Sequence, residues 1–158
     1  MRKTKIVLLI VLVIFVGIQF IQPARNTSEP VINLDSTNSL NIPANVQVLL
    51  KNACYDCHSN ATVYPWFSKV QPMGWLLASH IKKGKSKLNF DELGTYRPRK
   101  LKSKLKEIKS EIEDGSMPLK SYTLLHRDAL LSDDERQLII NWVEKTSDSL
   151  SIESDERK

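Results

Sequence analysis

Apolar and polar positions alternate in blocks along this chain, and each block predicts a different element. Ile6 to Ile21 is an unbroken apolar run, interrupted only by Gly17 and Gln19. It has no polar face, so it does not read as a helix packed into a water-soluble core. After Pro43, the residues Val46, Leu49, Leu50 and Ala53 recur at helical spacing, predicting a helix to about Cys54. A second helix is expected from Pro72 to Gly84, carrying Trp75, Leu76, Leu77, Ala78 and His80. A third runs from Pro98 to Gly115, with Leu101, Leu105, Ile108 and Ile112 on one stripe. A fourth starts after Ser132, where Glu135 completes a capping box. Its buried side is read as Leu138, Ile139, Trp142 and Val143, with fraying after Thr146. No alternating strand pattern and no repeat interrupt this series. The expected fold is all-α: a small domain of about four helices with long loops, preceded by an N-terminal membrane helix.

Four regions follow from these blocks. Residues 1–22 are a membrane anchor or signal segment. Residues 23–42 are a linker, with Asn26 to Asn41 rich in Asn, Ser, Thr and Asp. Residues 43–146 are the folded domain, and 147–158 a polar, disordered tail. The first region begins Met-Arg-Lys-Thr-Lys, a positive flank that keeps the N-terminus in the cytoplasm and sends the rest across. At 1.5 Å per residue the apolar run is about 24 Å long, against a bilayer core of roughly 30 Å. No pair of small residues precedes an obvious cut, so an uncleaved anchor is favoured over a signal peptide. Either way the domain lies outside the cytoplasm.

Composition adds little except through charge. The 158 residues carry 41% hydrophobic and 26% charged side chains, which excludes a wholly disordered chain and a multi-span membrane protein. The formal charge of +5 is unevenly placed. Lys82 to Lys109 holds eleven basic residues against three acidic ones. Ser110 to Lys158 holds twelve acidic against six basic. The basic stretch suits a solvated helix face, or a face that docks an acidic protein or anionic lipid. Nucleic acid is not expected, because the domain is exported and only Phe90 and Tyr96 interleave the charges.

The candidate chemistry sits in Cys54-Tyr55-Asp56-Cys57-His58, a C-x-x-C-H pattern and the attachment signature of a c-type haem. Two thiols three residues apart reach two vinyl groups on one porphyrin edge. The next residue then places an imidazole under the iron. Three alternatives compete: a redox dithiol, a structural disulfide, and half of a zinc site completed by His80 and His126. The dithiol usually heads a helix after a strand, and no strand is predicted here. Haem c, one per chain, is the reading carried forward.

Met117, His80, His126 and Met73 are the candidates for the second axial ligand. Met117 stands first: Pro118 restricts it to an extended shape, and it lies far enough along the chain to approach the other haem face. His80 is the alternative, as distal ligand or pocket residue. Tyr64, Trp66 and Trp75, with Phe67 beside them, are expected to wall the pocket, and Leu88, Phe90, Leu93 and Tyr96 join them as candidates.

The blocks CYDCHSN, YPW, WLLASHIKKGK-x-x-LNF, GSMPL-x-SY and LSDDER, in this order, resemble the bacterial haem-binding domain family with a single CxxCH. The resemblance covers about Pro43 to Thr146. It implies a cytochrome-c-like fold with haem on Cys54, Cys57 and His58, and it makes His80 and the Met117-Pro118 pair recurrent features without choosing between them. Leu93 departs from the pattern, where a second Trp is expected. Electron transfer to an acidic redox partner at the periplasmic side of a bacterial inner membrane is the expected role, not enzymatic catalysis. A haem-based sensor or small-ligand binder is the alternative. A peroxidase-like activity would need an open iron face, with His80 the only acid–base candidate.

Overall fold

The computed structural model describes residues 2–28 and 40–155. Seven α-helices are found among them: α1 (Arg2–Ile18), α2 (Ala44–Ala53), α3 (Tyr55–His58), α4 (Met73–Lys87), α5 (Pro98–Glu113), α6 (Lys120–Thr123) and α7 (Asp133–Asp155). Three 3-10 turns join them, at Trp66–Lys69, Phe90–Thr95 and Arg127–Ala129. No strand occurs among the described residues; Thr27 and Ala61 form one isolated antiparallel bridge. The all-α expectation agrees with this, but the count of about four is low. Beyond the expected N-terminal helix α1 and four domain helices, the additions are the one-turn pieces α3 and α6, too short for a periodic signal.

The core is built where α2, α5 and α7 meet. The α5 stripe of Leu101, Leu105, Ile108 and Ile112 is buried as its spacing requires. Pro98 opens α5 at a position where the missing N–H costs nothing. Val46, Leu50 and Ala53 supply the α2 side. From α7 come Ile139, Ile140, Trp142 and Val143, whereas Leu138, expected inside, is exposed. Leu50, Leu93, Leu105 and Ile139 are among the largest side chains buried completely. Each contributes about 1.5–3 kcal/mol of apolar burial. Leu40 and Ile42 seal the edge, and Trp142 donates its indole N–H to the Leu40 carbonyl at 3.4 Å.

Three boundaries differ from the sequence reading. Helix α7 does not fray after Thr146. It continues to Asp155, with Leu150 packed against the core, so Ser147 to Asp155 is not a disordered tail. Its start is the expected capping box: Glu135 N–H donates to Ser132 Oγ at 3.3 Å, and Ser132 N–H to Glu135 Oε2 at 2.8 Å. These bonds hold the Glu135 carboxyl below its usual range. Helix α4 does not stop at Gly84 but runs to Lys87, for a reason given below. The linker is not free at its start: Asn26 and Thr27 bond into the domain. Residues 29–39 and 156–158 lie outside the described residues.

The N-terminal run does form a helix, and α1 buries none of its residues. At 17 residues it is about 25 Å long. No helix among the described residues is long and apolar enough to cross a membrane. The expected membrane helix is corrected to that extent.

Leu105→Ala removes a fully buried side chain at the α5–α7 contact. It should lower unfolding stability by about 2–5 kcal/mol in urea denaturation, with Leu138→Ala on the exposed side of α7 costing far less.

Candidate functional site

The C-x-x-C-H segment follows directly on α2. Cys54 ends that helix, its N–H bonded to the Leu50 carbonyl at 2.9 Å. Cys57 and His58 then turn back in α3, both N–H groups donating to the Cys54 carbonyl, at 3.1 and 3.0 Å. This turn is held from several sides. Asp56 accepts the Tyr122 hydroxyl at 2.7 Å and the Val63 N–H at 3.0 Å. The Asp56 carbonyl accepts Thr62 Oγ1–H at 2.6 Å. Tyr55 stacks on Phe90 with ring centres 5.0 Å apart.

Gly84 presses on the turn from α4. A Cβ there would sit 2.7 Å from the Cys57 carbonyl oxygen and 3.2 Å from Cys57 Cβ. The glycine is therefore present for close approach between helices, and the helix continues through it. The Gly84 carbonyl accepts the Leu88 N–H at 3.0 Å, closing α4 a turn later.

His58 is oriented by a backbone group. Its Nδ1 lies 3.1 Å from the Leu88 carbonyl oxygen. A carbonyl only accepts, so Nδ1 carries the proton and Nε2 keeps its lone pair. Burial holds the imidazole pKa below the usual histidine value, which favours the neutral ring. Phe90 packs against it edge-on, 6.4 Å between ring centres. The outcome is a neutral, fixed imidazole with one free nitrogen, as a metal ligand requires.

That imidazole borders a cavity of about 440 Å³, within the range of cofactor sites. Ala53, Leu88, Phe90, Ile108 and Ile112 line it with apolar surface, and Cys54 sits on its edge. Met117 and Pro118 also line it. Met117 is positioned by the end of α5: Gly115 takes φ 66°, and the Ser116 and Met117 N–H groups both donate to the Glu111 carbonyl, at 3.0 and 3.1 Å. Lys87, Lys104, Glu107 and Glu111 add charge of both signs to the lining. Lys104 is paired with Glu107 at 2.7 Å.

The other expected site residues lie elsewhere. His80 and Cys57 border a separate hollow of about 70 Å³ with Met73, Tyr122 and His126. The structure thus brings His58, Cys54 and Met117 to one cavity and leaves His80 and Cys57 out of its lining, Cys57 lying on the other side of the turn. Tyr64, Trp66 and Trp75 do not wall that cavity. Tyr64 Oη accepts the Asn26 N–H at 2.7 Å, Trp75 Nε1 donates to the Ile21 carbonyl at 2.9 Å, and Trp66 is 82% exposed. Tyr64 and Trp75 serve the junction with the N-terminal segment instead, and Trp66 packs edge-on against Phe67.

The chemistry of the donors separates the readings. Burial pushes the Cys54 thiol up to about 12, and that of Cys57 up to about 11. A catalytic dithiol works as thiolate, and such sites depress the thiol pKa. Both cysteines are free. Among the described residues no group of three or more His, Cys, Asp and Glu side chains is placed to hold a metal ion. A porphyrin brings four nitrogens to its iron and asks the protein for one or two donors, which this cavity offers. The residues present fit that group.

A helical domain with a fixed imidazole and a thioether facing one apolar cavity, beside paired cysteines, defines a haem-binding class. A family model described as "Haem-binding domain" matches residues 13–145, and the chain belongs to that family. No curated protein and no solved structure matches the chain.

Three features were not foreseen from the sequence: the Leu88 carbonyl, the close approach at Gly84, and the use of Ile108 and Ile112 as cavity wall. The first carries no side-chain signal at all. Gly84 reads as a helix stop, and a stripe residue looks the same whether its neighbour is core or cavity.

Gly84→Ala should destabilise the protein, because overpacking of about 1–3 kcal/mol outweighs the roughly 0.5–1 kcal/mol that Ala gains in a helix. Gly17→Ala, in α1 with nothing within 4 Å, meets no such clash and should not destabilise in the same urea titration. In chain prepared without haem, alkylation of the thiols should be slow at pH 8. The thiolate fraction of Cys57 there is roughly a thousandth, and the rate should climb about tenfold per pH unit to pH 10 without levelling. A plateau above pH 9 would show ordinary thiols.

Proposed function

We propose that this chain is a c-type haem protein that carries electrons outside the cytoplasm. The observation that carries the reading is the single apolar cavity shared by His58, Met117 and Cys54. In this reading Cys54 and Cys57 would hold the haem covalently, each thiol S–H adding across one vinyl group with C–S and C–H bonds formed and no net redox change. His58 binds iron through Nε2, the nitrogen left free by the Leu88 carbonyl. Met117, which lines the same cavity, would be the second residue to hold the iron, and His80, at a separate hollow, would not. Haem, when bound, supplies a one-electron ferric/ferrous couple. The residues around it set its poise: a thioether opposite an imidazole raises the potential, and Leu88, Phe90, Ile108 and Ile112 exclude water. Were His58 and Met117 both to hold the iron, sensing and peroxidase chemistry would be disfavoured, and the reading is of an electron carrier rather than an enzyme.

The redox partner is an acidic protein. Helix α5 exposes Arg99, Lys100, Lys102 and Lys106, a basic surface that steers such a partner and weakens with salt. The N-terminal helix holds the domain at a bacterial inner membrane, on the periplasmic side. Helix α1 is short for a bilayer core, and such a segment is accommodated by local thinning and by snorkelling of Arg2, Lys3 and Lys5.

Met117→Ala, made in chain matured with the c-type machinery, should lower the midpoint potential by on the order of 0.1 V or more, since axial ligands command a span near 0.8 V. His80→Ala should leave spectrum and potential in place. The reverse pattern would assign the sixth position to His80.

A further inference from the structure

We infer that the surface around the exit of α1 is a membrane-contact face, built from residues 19–28 and 59–76, that fixes the domain's orientation on a bilayer with anionic headgroups. The inference rests on the membrane-anchoring part of the function proposed above.

The chain leaving α1 is not a loose tether. Gln19 and Gln22, one helical turn apart, both bond to a single buried residue, Gln71. Gln71 N–H donates to Gln19 Oε1 at 2.8 Å, and Gln19 Nε2 donates back to the Gln71 carbonyl at 3.3 Å. Gln71 Nε2 donates to Gln22 Oε1, and Gln22 Nε2 to the Lys69 carbonyl, each at 3.1 Å. Trp75 Nε1 closes onto the Ile21 carbonyl. Further along, Asn26 is held by Tyr64 and Ser59 and accepts Lys85 Nζ at 2.8 Å. Arg25 lies over the Tyr64 ring at 4.6 Å. A flexible linker would need none of these bonds. A seam of this kind ties the direction of α1 to that of the domain.

The surface along the seam has the chemistry of a lipid interface. Phe20 is 84% and Trp66 82% exposed, and Val70, Met73 and Leu76 are exposed beside them. Aromatic side chains with such exposure concentrate at headgroup depth in membrane proteins. The charge is one-sided. Residues 1–28 contain no Asp or Glu, and neither do residues 57–90. Arg25 and Lys69 stand among the apolar side chains and offer cations to anionic headgroups. The acidic residues of the chain lie outside these two stretches: Glu29 and Asp35 beyond the first, Asp56 in the turn before the second, and the others from Asp91 onward.

The test is photolabelling of the full, haem-loaded chain in vesicles of mixed zwitterionic and anionic phospholipid. A fraction of the lipid carries a diazirine near the glycerol backbone, and adducts are mapped by peptide mass spectrometry. Adducts are expected on residues 18–22 and on 66–76, and not on the Arg99–Lys106 surface of α5. Gln71→Ala and the milder, exposed-site variant Gln22→Ala should keep labelling of α1 and cut labelling of 66–76 at least threefold. Label on α1 with none on 66–76 overturns the contact face and leaves anchoring intact. Label on neither overturns anchoring as well. Variants that label like wild type overturn the role of the seam. Crosslinking of 66–76 to a second copy in place of lipid overturns the assignment of lipid as occupant.

Discussion

The structure depends on how rigidly the turn from Cys54 to His58 is held. Five residues must present two thiols and one imidazole nitrogen in a fixed relation, and a four-residue helix has no stability of its own. Its order comes from outside. Asp56 is bonded to Tyr122, far along the chain, and to Val63 close by. His58 is bonded to the Leu88 carbonyl, and Gly84 lets α4 close on the Cys57 carbonyl. These contacts come from α6, from the loop at Val63, and from α4 and its C-terminal cap. The turn is therefore only as precise as the packing of α4 and α6 around it.

That packing also explains the cavity. Helix α5 uses one apolar stripe for two purposes. Leu101 and Leu105 fill the core against α7, while Ile108 and Ile112 also face the cavity beside His58. The same helix ends in Gly115, where left-handed backbone lets the Ser116 and Met117 amides fold back onto the Glu111 carbonyl. One element thus supplies wall and thioether together, and its anchorage in the core fixes the distance between Met117 and the histidine across the cavity.

Much of this was legible in the chain, and the exceptions have physical causes. The α5 stripe, the capping box at Ser132 and the position of Met117 after a helix end are local patterns, and local patterns survive folding. The pentapeptide Cys54 to His58 announces its chemistry because spacing alone constrains it. The aromatic residues Tyr64, Trp66 and Trp75 were misplaced, since an aromatic near a haem motif looks like a pocket wall. The polar edges of Tyr64 and Trp75 went to residues 26 and 21, which are distant in sequence and separated from them by the polar linker, while Trp66 stayed exposed. Gln71 gave no warning either: a lone glutamine predicts surface, and it is buried because Gln22 and the Trp75 N–H satisfy its side-chain amide while Gln19 bonds its backbone. The continuation of α7 past Thr146 rests on Leu150, a single apolar residue in a polar tail.

The account's central claim is that Cys54 and Cys57 hold one haem covalently beside the cavity of His58 and Met117. Intact-mass spectrometry under denaturing conditions tests it most directly, on chain exported in a host with the c-type maturation machinery. The predicted result is a single species heavier than the polypeptide by one haem, with no thiol left to alkylate. An unmodified chain with two alkylatable thiols, from cells in which a control cytochrome matures, would contradict it.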